Sequence, residues 1–321
     1  MEFEKQLQIG NIDYIKRMLF RIFDEKKIKQ DNFLDKLVAS GVTWHCGGMS
    51  DPFQPIEDKL KVTEQLIEAT KPYGIHILFS TKADTVYGCN LDNKLHTFQM
   101  SVTNLNDRRD IEPNIPSIKN RIDFYNNLKS DGFKVGIRVQ PFIPNITTPD
   151  IVTTFKDADY FTIEGLKLVP QNKEHKDYLI NLLNLDIKDF KQMGLLNLKP
   201  EIREVLYKDF VDRLEKYKIP YSIADNDMHY ISSGKCCCGD TLVHKSTDFN
   251  NTAMCFNNNT YTIDDIYKSL GDFANCKCNQ LFTSNRQEGC TTVGEFYEKR
   301  FDRASSPFSP KFMCNYNDTT K

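Results

Sequence analysis

Gly47-Gly48-Met49-Ser50-Asp51-Pro52 follows the short apolar run Val42-Thr43-Trp44-His45-Cys46 and opens a helical pattern. The run is β-branched and aromatic, which marks a buried strand. Two adjacent glycines turn the chain sharply and bring its backbone close to a ligand with no Cβ in the way. Asp51 followed by Pro52 reads as an N-cap and first helical residue, and Ile56, Leu60, Thr63 and Ile67 continue at helical spacing. A strand that ends in Gly-Gly and feeds a helix is the carboxyl end of a β/α unit, where α/β folds bind small molecules. Polar residues interrupt or close further apolar runs: Lys82 after Leu78-Phe79-Ser80-Thr81, Gln99 and Ser101 within 97–102, and Arg138 within 134–139.

Cysteine is the second chemical signal. The ten are Cys46, Cys89, Cys236, Cys237, Cys238, Cys255, Cys276, Cys278, Cys290 and Cys314. Thiolates from Cys236, Cys237, Cys238, Cys276 and Cys278 are candidates to hold Zn²⁺ or an auxiliary iron–sulfur cluster. Adjacent cysteines point in different directions, so no more than two of the first three serve one centre. The paired Cys-x-x-Cys of a zinc ribbon is absent, and burial as small apolar side chains is the plainer account. His229 and Tyr230 stand beside this run, either reaching a substrate or packing under the loop.

The elements that position these residues alternate. Helices are expected over 12–29 and 32–39 with Asp31 as N-cap, then a strand at 42–46 and a helix over 53–71 stopped by Pro72 and Gly74. Strands at 75–80 and 97–102 precede a helix over 118–131, and a strand at 134–139 precedes a short helix near 149–156. Tyr160–Glu164 is the next strand, its terminal Glu164 facing a ligand or capping the turn. Two or three helices fill 172–217, and 220–225 is the last strand. Alternation of this kind means a parallel sheet.

The segment from Gly47 to Glu57 resembles the second β/α unit of radical S-adenosylmethionine (AdoMet) enzymes, in the branch of spore photoproduct lyase and the DNA repair photolyase-like proteins. The likeness extends through Leu78–Lys82, Thr97–Val102, Glu112-Pro113 and Val135–Pro144; it is good over 40–165 and weak to Asp225 and Cys236-Cys237-Cys238-Gly239. It implies an α/β fold, a partial (β/α)6 TIM-like radical SAM barrel. By position it implies that Gly47, Gly48 and Met49 meet the amino group of AdoMet and that Ser50 and Lys82 hydrogen-bond the cofactor. Gln99, Ser101 and Arg138 would line the same pocket. A hydroxyl and an ammonium are donors suited to the carboxylate of a zwitterion or to a ribose edge.

Two departures follow. The family's 4Fe–4S cluster hangs on a Cys-x-x-x-Cys-x-x-Cys loop after the first strand, and no cysteines here have that spacing. The expectation is therefore a barrel missing its first strand over 1–228, with a Cys-rich irregular extension over 229–321. It would come from a truncated, frameshifted or split gene whose upstream-encoded partner carries the cluster, and it would be inactive alone. Where the lyase has the cysteine that returns a hydrogen atom, this chain has Gly48, so reversal of a thymine dimer is not expected. The competing expectation is a non-catalytic, degenerate barrel acting as a metal-binding interaction module through its C-terminal cysteines.

Composition bounds these readings. The 321 residues are 40% hydrophobic and 27% charged, ordinary for a globular protein with a large core. A formal net charge of −2 gives no electrostatic footprint for DNA, which enters only through the family. No run of 18 or more apolar residues and no signal-peptide core is present, so a cytoplasmic location without membrane contact is expected.

Overall fold

The computed structural model describes residues 10–48, 50–193, 195–225, 228, 231–233, 262–278 and 289–305. Its centre is a six-stranded parallel sheet: β1 (Trp44–Cys46), β2 (Ile77–Thr81), β3 (His96–Ser101), β4 (Lys134–Phe142), β5 (Tyr160–Gly165) and β9 (Tyr221–Ile223). Each strand pairs with its successor, and the outer two do not pair with each other, so the sheet is open. It holds by itself the six strands of a (β/α)6 unit.

Parallel strands joined in consecutive order need crossovers, and crossovers are right-handed. All of them therefore place their helices on one face. Phe79, Phe98, Val135, Ile137, Val139, Phe161, Ile163 and Ile223 point to that face. They form one core with residues of α1 (Ile12–Leu19), α4 (Val62–Thr70), α5 (Ile118–Ser130), α6 (Asp150–Thr154) and α8 (Pro200–Lys216). Strand residues alternate in direction, so the opposite face carries His45, Leu78, Ser80, Gln99, Ser101, Gly136, Arg138, Tyr160, Thr162, Glu164 and Ser222. That face is polar yet largely buried: Gln99 is 0% and Thr162 1% exposed. Tyr160 covers Gly136, where a Cβ would fall 2.2 Å from its ring.

Local chemistry shifts several expected boundaries. The helix expected over 12–29 is α1 followed by a π-helical turn at Phe20–Asp24. Asn32, not Asp31, caps α2 (Phe33–Ala39), its side chain accepting from Asp35 N. The helix expected over 53–71 is broken into α3 (Glu57–Leu60) and α4, because Lys61 adopts φ +51. The stretch 172–217, expected as two or three helices, has helices at both ends, but between them lie two strands of a three-stranded antiparallel sheet. It consists of β6 (Lys167–Leu168), β8 (Leu195–Leu198) and β7 (Phe190–Met193), with α7 (Lys173–Leu182). This insertion has its own apolar cluster of Leu166, Leu168, Leu183, Phe190, Leu196 and Leu198.

The C-terminal extension is not irregular where it is described. A capping box of Thr262 and Asp265 opens α9 (Ile263–Leu270), and α10 (Val293–Ser305) packs against it. Phe33, Ile266, Val293 and Phe296 enclose Cys276 and Cys278 in a small apolar cluster. Lys277 pairs with Asp31 at 2.5 Å, tying the extension to the start of α2. No helix among the described residues is long and apolar enough to cross a membrane.

His96 opens β3 on the core face, 1% exposed beside the ring of Phe79. Its Nδ1 accepts from Asp92 N at 2.9 Å, which leaves the neutral ring's proton on Nε2. Burial pushes its pKa down to about 4. Below about 6.5 the unfolded chain takes up a proton that the folded chain refuses until pH nears 4, so stability falls as pH falls through that window. Urea titrations of the wild type between pH 7 and 4 should lose on the order of 2–3 kcal/mol more than His96→Gln over the same range. Parallel curves for the two proteins would refute the assignment.

Candidate functional site

A cleft of about 330 Å³ opens where β1 to β4 end. Gly47 and Gly48 form its β1 side, followed by Asp51; β2 contributes Ser80, Thr81 and Lys82. Ser101 closes β3, and Arg138 and Gln140 bound the β4 side.

The β1 rim is backbone pressed on backbone. Gly47 has φ +112, and a Cβ there would lie 2.1 Å from the carbonyl oxygen of Ser80. No other residue type fits that position without moving β2. Asp51 fastens the two loops from the other side. Its Oδ1 accepts from Phe53 N at 2.9 Å and Thr81 Oγ1 at 2.7 Å, and its Oδ2 accepts from Lys82 N at 2.6 Å. The expected N-cap is thus an Asx turn that bonds across to β2, with the helix beginning only at Glu57.

The floor is a chain of side-chain hydrogen bonds whose directions follow from one fact: arginine only donates. Arg138 Nη1 donates to Gln99 Oε1 at 3.3 Å. Ser80 Oγ donates to the same oxygen at 2.9 Å, and Gln99 Nε2 donates to Thr162 Oγ1 at 3.2 Å. With its proton committed, Ser80 Oγ accepts from His45 Nε2 at 2.7 Å. Ser80 and His45 are therefore not a nucleophile and its base, because the hydroxyl proton points away from the imidazole.

Beyond β4, Arg138 Nε donates to Gln140 Oε1, and Gln140 Nε2 donates to Glu164 Oε2. Lys167 pairs with Glu164 Oε1. Burial raises the pKa of Glu164 against the pull of Lys167. Asp225 is spent on structure, taking Gly165 N at 2.9 Å, Tyr207 OH at 2.7 Å and Arg203 Nη1 at 3.0 Å. On the β2 rim, Lys82 Nζ meets Glu112 Oε1 at 2.5 Å, while Glu112 Oε2 accepts from Thr103 Oγ1 at 3.0 Å.

Of the residues picked out in the sequence, the fold brings Gly47, Gly48, Lys82, Ser101 and Arg138 around one cleft. Gln99 lies beneath it, fully buried. Ser50 is exposed and does not line it, and Met49 lies outside the described residues. Asp51, Ser80, Thr81 and Gln140 were missed, although a serine in the apolar run Ile77-Leu78-Phe79-Ser80 is itself a signal.

Cysteine chemistry does not converge here. Cys46 packs against the main core, and burial, aided by Glu57 and Asp51, pushes its pKa up to about 11. Cys276 and Cys278 are 0% exposed in their apolar cluster, and burial raises the Cys276 thiol. Cys236, Cys237, Cys238, His229 and Tyr230 lie outside the described residues. Among the described residues no three His, Cys, Asp or Glu side chains are grouped to hold a metal ion.

Fold and cleft together define an α/β protein with a polar cleft at the carboxyl ends of a singly wound parallel sheet. No family model matches the chain. An uncharacterized protein of Methanocaldococcus jannaschii is 29% identical over 145 residues, which are 42% of this chain and 54% of that protein. Among solved structures, spore photoproduct lyase complexed with dinucleoside spore photoproduct aligns with TM-score 0.42 and 17% identity, over 60% of this chain and 66% of that one. A double mutant of spore photoproduct lyase with bound AdoMet and the dinucleoside aligns with TM-score 0.45 and 17% identity, over 66% of each chain. The chain thus spans about half of the archaeal relative and just under two thirds of the solved structures.

Asp51→Ala removes three bonds from the junction of the β1 and β2 loops. A loss of about 2 kcal/mol or more is expected in urea denaturation. Unchanged stability would show that the carboxylate does not hold the loops.

Proposed function

We propose that the cleft binds AdoMet and that the protein is radical-AdoMet-like, of the spore photoproduct lyase-like branch. The observation that carries this is the Gly47–Ser80 contact. It presses the end of β1 against β2 two residues before Lys82, and Gly47 and Lys82 both line the cleft, in keeping with what the Gly-Gly resemblance leads one to expect for a zwitterionic amino-acid moiety. Gly47 and Gly48 would present backbone to that moiety, Lys82 a donor to its carboxylate, and Ser101 a hydroxyl to the ribose. A volume of about 330 Å³ is at the lower end of the usual range for such ligands.

In this class the cofactor, when bound to a reduced 4Fe–4S cluster, supplies a carbon-centred radical. The described residues do not fit that cluster: they present no cysteine triad, and the one thiol near the cleft, Cys46, turns into the core. Cofactor binding is accordingly the activity we assign to this polypeptide, with the radical step reserved for an assembly that includes a cluster-bearing partner polypeptide. The lyase's hydrogen-returning cysteine is replaced by Gly48, so the substrate is not assigned to thymine dimers.

Isothermal titration of the purified protein with AdoMet should show saturable binding, and Gly47→Ala should weaken it about tenfold or more through the clash with Ser80. Thermal melts establish that the variant is folded. Absence of AdoMet binding by the wild type, or equal binding by a folded Gly47→Ala, would overturn the reading.

A further inference from the structure

Lys82 is the cation on the β2 rim of the cleft, and the group that fixes it stands outside the cleft. Its side chain is 36% exposed on a flexible stem, and its Nζ donates to Glu112 Oε1 at 2.5 Å. Glu112 does not line the cleft; it lies in the loop between β3 and α5 with its side chain 9% exposed. That carboxylate is itself held. Thr103 Oγ1 donates to its Oε2 at 3.0 Å, and Asn104 Nδ2 donates to Thr103 Oγ1 at 3.3 Å, both residues 1% exposed. Thr147 Oγ1 fastens the same turn by donating to Thr103 O at 2.7 Å, and Ile111 packs against the apolar cluster of the insertion.

A carboxylate beside Lys82 acts in two opposed ways on an anionic group entering the cleft. It orders the lysine in advance, so that the ligand does not have to, and its charge repels the newcomer. Arg121 decides which effect prevails. It is 1% exposed and reaches from α5 to donate from Nη1 to Ser101 O at 2.8 Å. Burial pulls its pKa down, and the charges of Glu112 foremost and then Asp107 act against that fall. The charge of Glu112 is therefore opposed by a buried cation as well as by Lys82 on the cleft side, which weakens the repulsion and leaves the ordering. We propose that Glu112 is a positioning residue, aiming the Lys82 ammonium at the carboxylate of the AdoMet amino-acid moiety without touching the ligand. The proposal rests on the reading of the cleft as an AdoMet site. Of the three ammonium donors, one goes to Glu112 and two remain for the ligand.

Isothermal titration of the full-length protein with AdoMet and with decarboxylated AdoMet, which lacks only the carboxylate, tests this. Glu112→Gln should weaken AdoMet binding about fivefold or more, the cost of re-ordering a freed lysine, and leave decarboxylated AdoMet within about twofold. In a Lys82→Met background, Glu112→Gln should change AdoMet affinity no further. An equal loss for both ligands marks a glutamate that merely holds the loop and overturns the proposal. Unchanged AdoMet affinity in a folded Glu112→Gln, or an added loss in the Lys82→Met background, overturns it as well. If Glu112→Gln fails to fold, Thr103→Val takes its place by freeing Oε2, and wild-type discrimination between the two ligands in that variant overturns the proposal. A wild type that binds both ligands equally refutes the role of Lys82, and Glu112 falls with it. A wild type that binds neither removes the functional reading itself and this inference together.

Discussion

Handedness is the constraint on which the remaining structure depends. Right-handed crossovers between consecutive parallel strands put every helix of the sheet on one side, so the two faces of each strand meet different surroundings. The helical side is filled by aromatic and aliphatic residues, with Phe53, Phe79, Phe98 and Phe124 in successive ring contact. The other face receives no helix from the crossovers and is where polar groups can be stationed. A fold in which helices covered both faces would have had to make Ser80, Gln99, Thr162 and Glu164 apolar.

Polar side chains buried in this way are tolerable only as a closed set. Gln99 shows how the set is closed: its oxygen takes donors from Ser80 and Arg138, and its amide donates to Thr162. Removing one member would strand a buried donor or acceptor at a cost comparable to several surface contacts. Glu164, Gln140 and Lys167 form a second closed set, and Asp225, Arg203 and Tyr207 a third. Arg138 joins the first two sets through Gln99 and Gln140.

Much of the sheet was legible because parallel strands are short, apolar on both sides of a polar residue, and bounded by Gly and Pro. Trp44–Cys46, Ile77–Thr81, His96–Ser101 and Tyr160–Gly165 all read this way. The insertion was not, since Leu195-Leu196-Asn197-Leu198 is too brief for its period-two alternation to stand out among flanking helices. In the cleft, Gly47 and Lys82 were legible as punctuation at strand ends. Asp51 was misread because an Asp before Pro has the same local signature whether it caps a helix or bonds across to the next strand. Only the register that sets Cys46 beside Phe79 brings Thr81 and Lys82 within its reach. Ser80 and Gln99 carry the same lesson, because their pairing is a fact of register between two strands and not of spacing along either.

The rim and the floor are built by opposite means, and this bears on how the site works. At Gly47 the absence of a side chain lets two backbones touch, so the rim is as stiff as the sheet and cannot widen without separating β1 from β2. At the floor the stiffness comes from side chains locking one another, and rotation of any one requires its neighbours to rotate as well. A ligand entering between them meets donors already aimed and loses little to reorganisation of the protein. Such a site costs stability, since a polar floor buries less apolar area than a Leu- and Val-lined one would. The apolar cluster on the helical face, continuous from Leu19 through Phe98 and Phe161 to Leu214, is the part of the fold large enough to offset that cost.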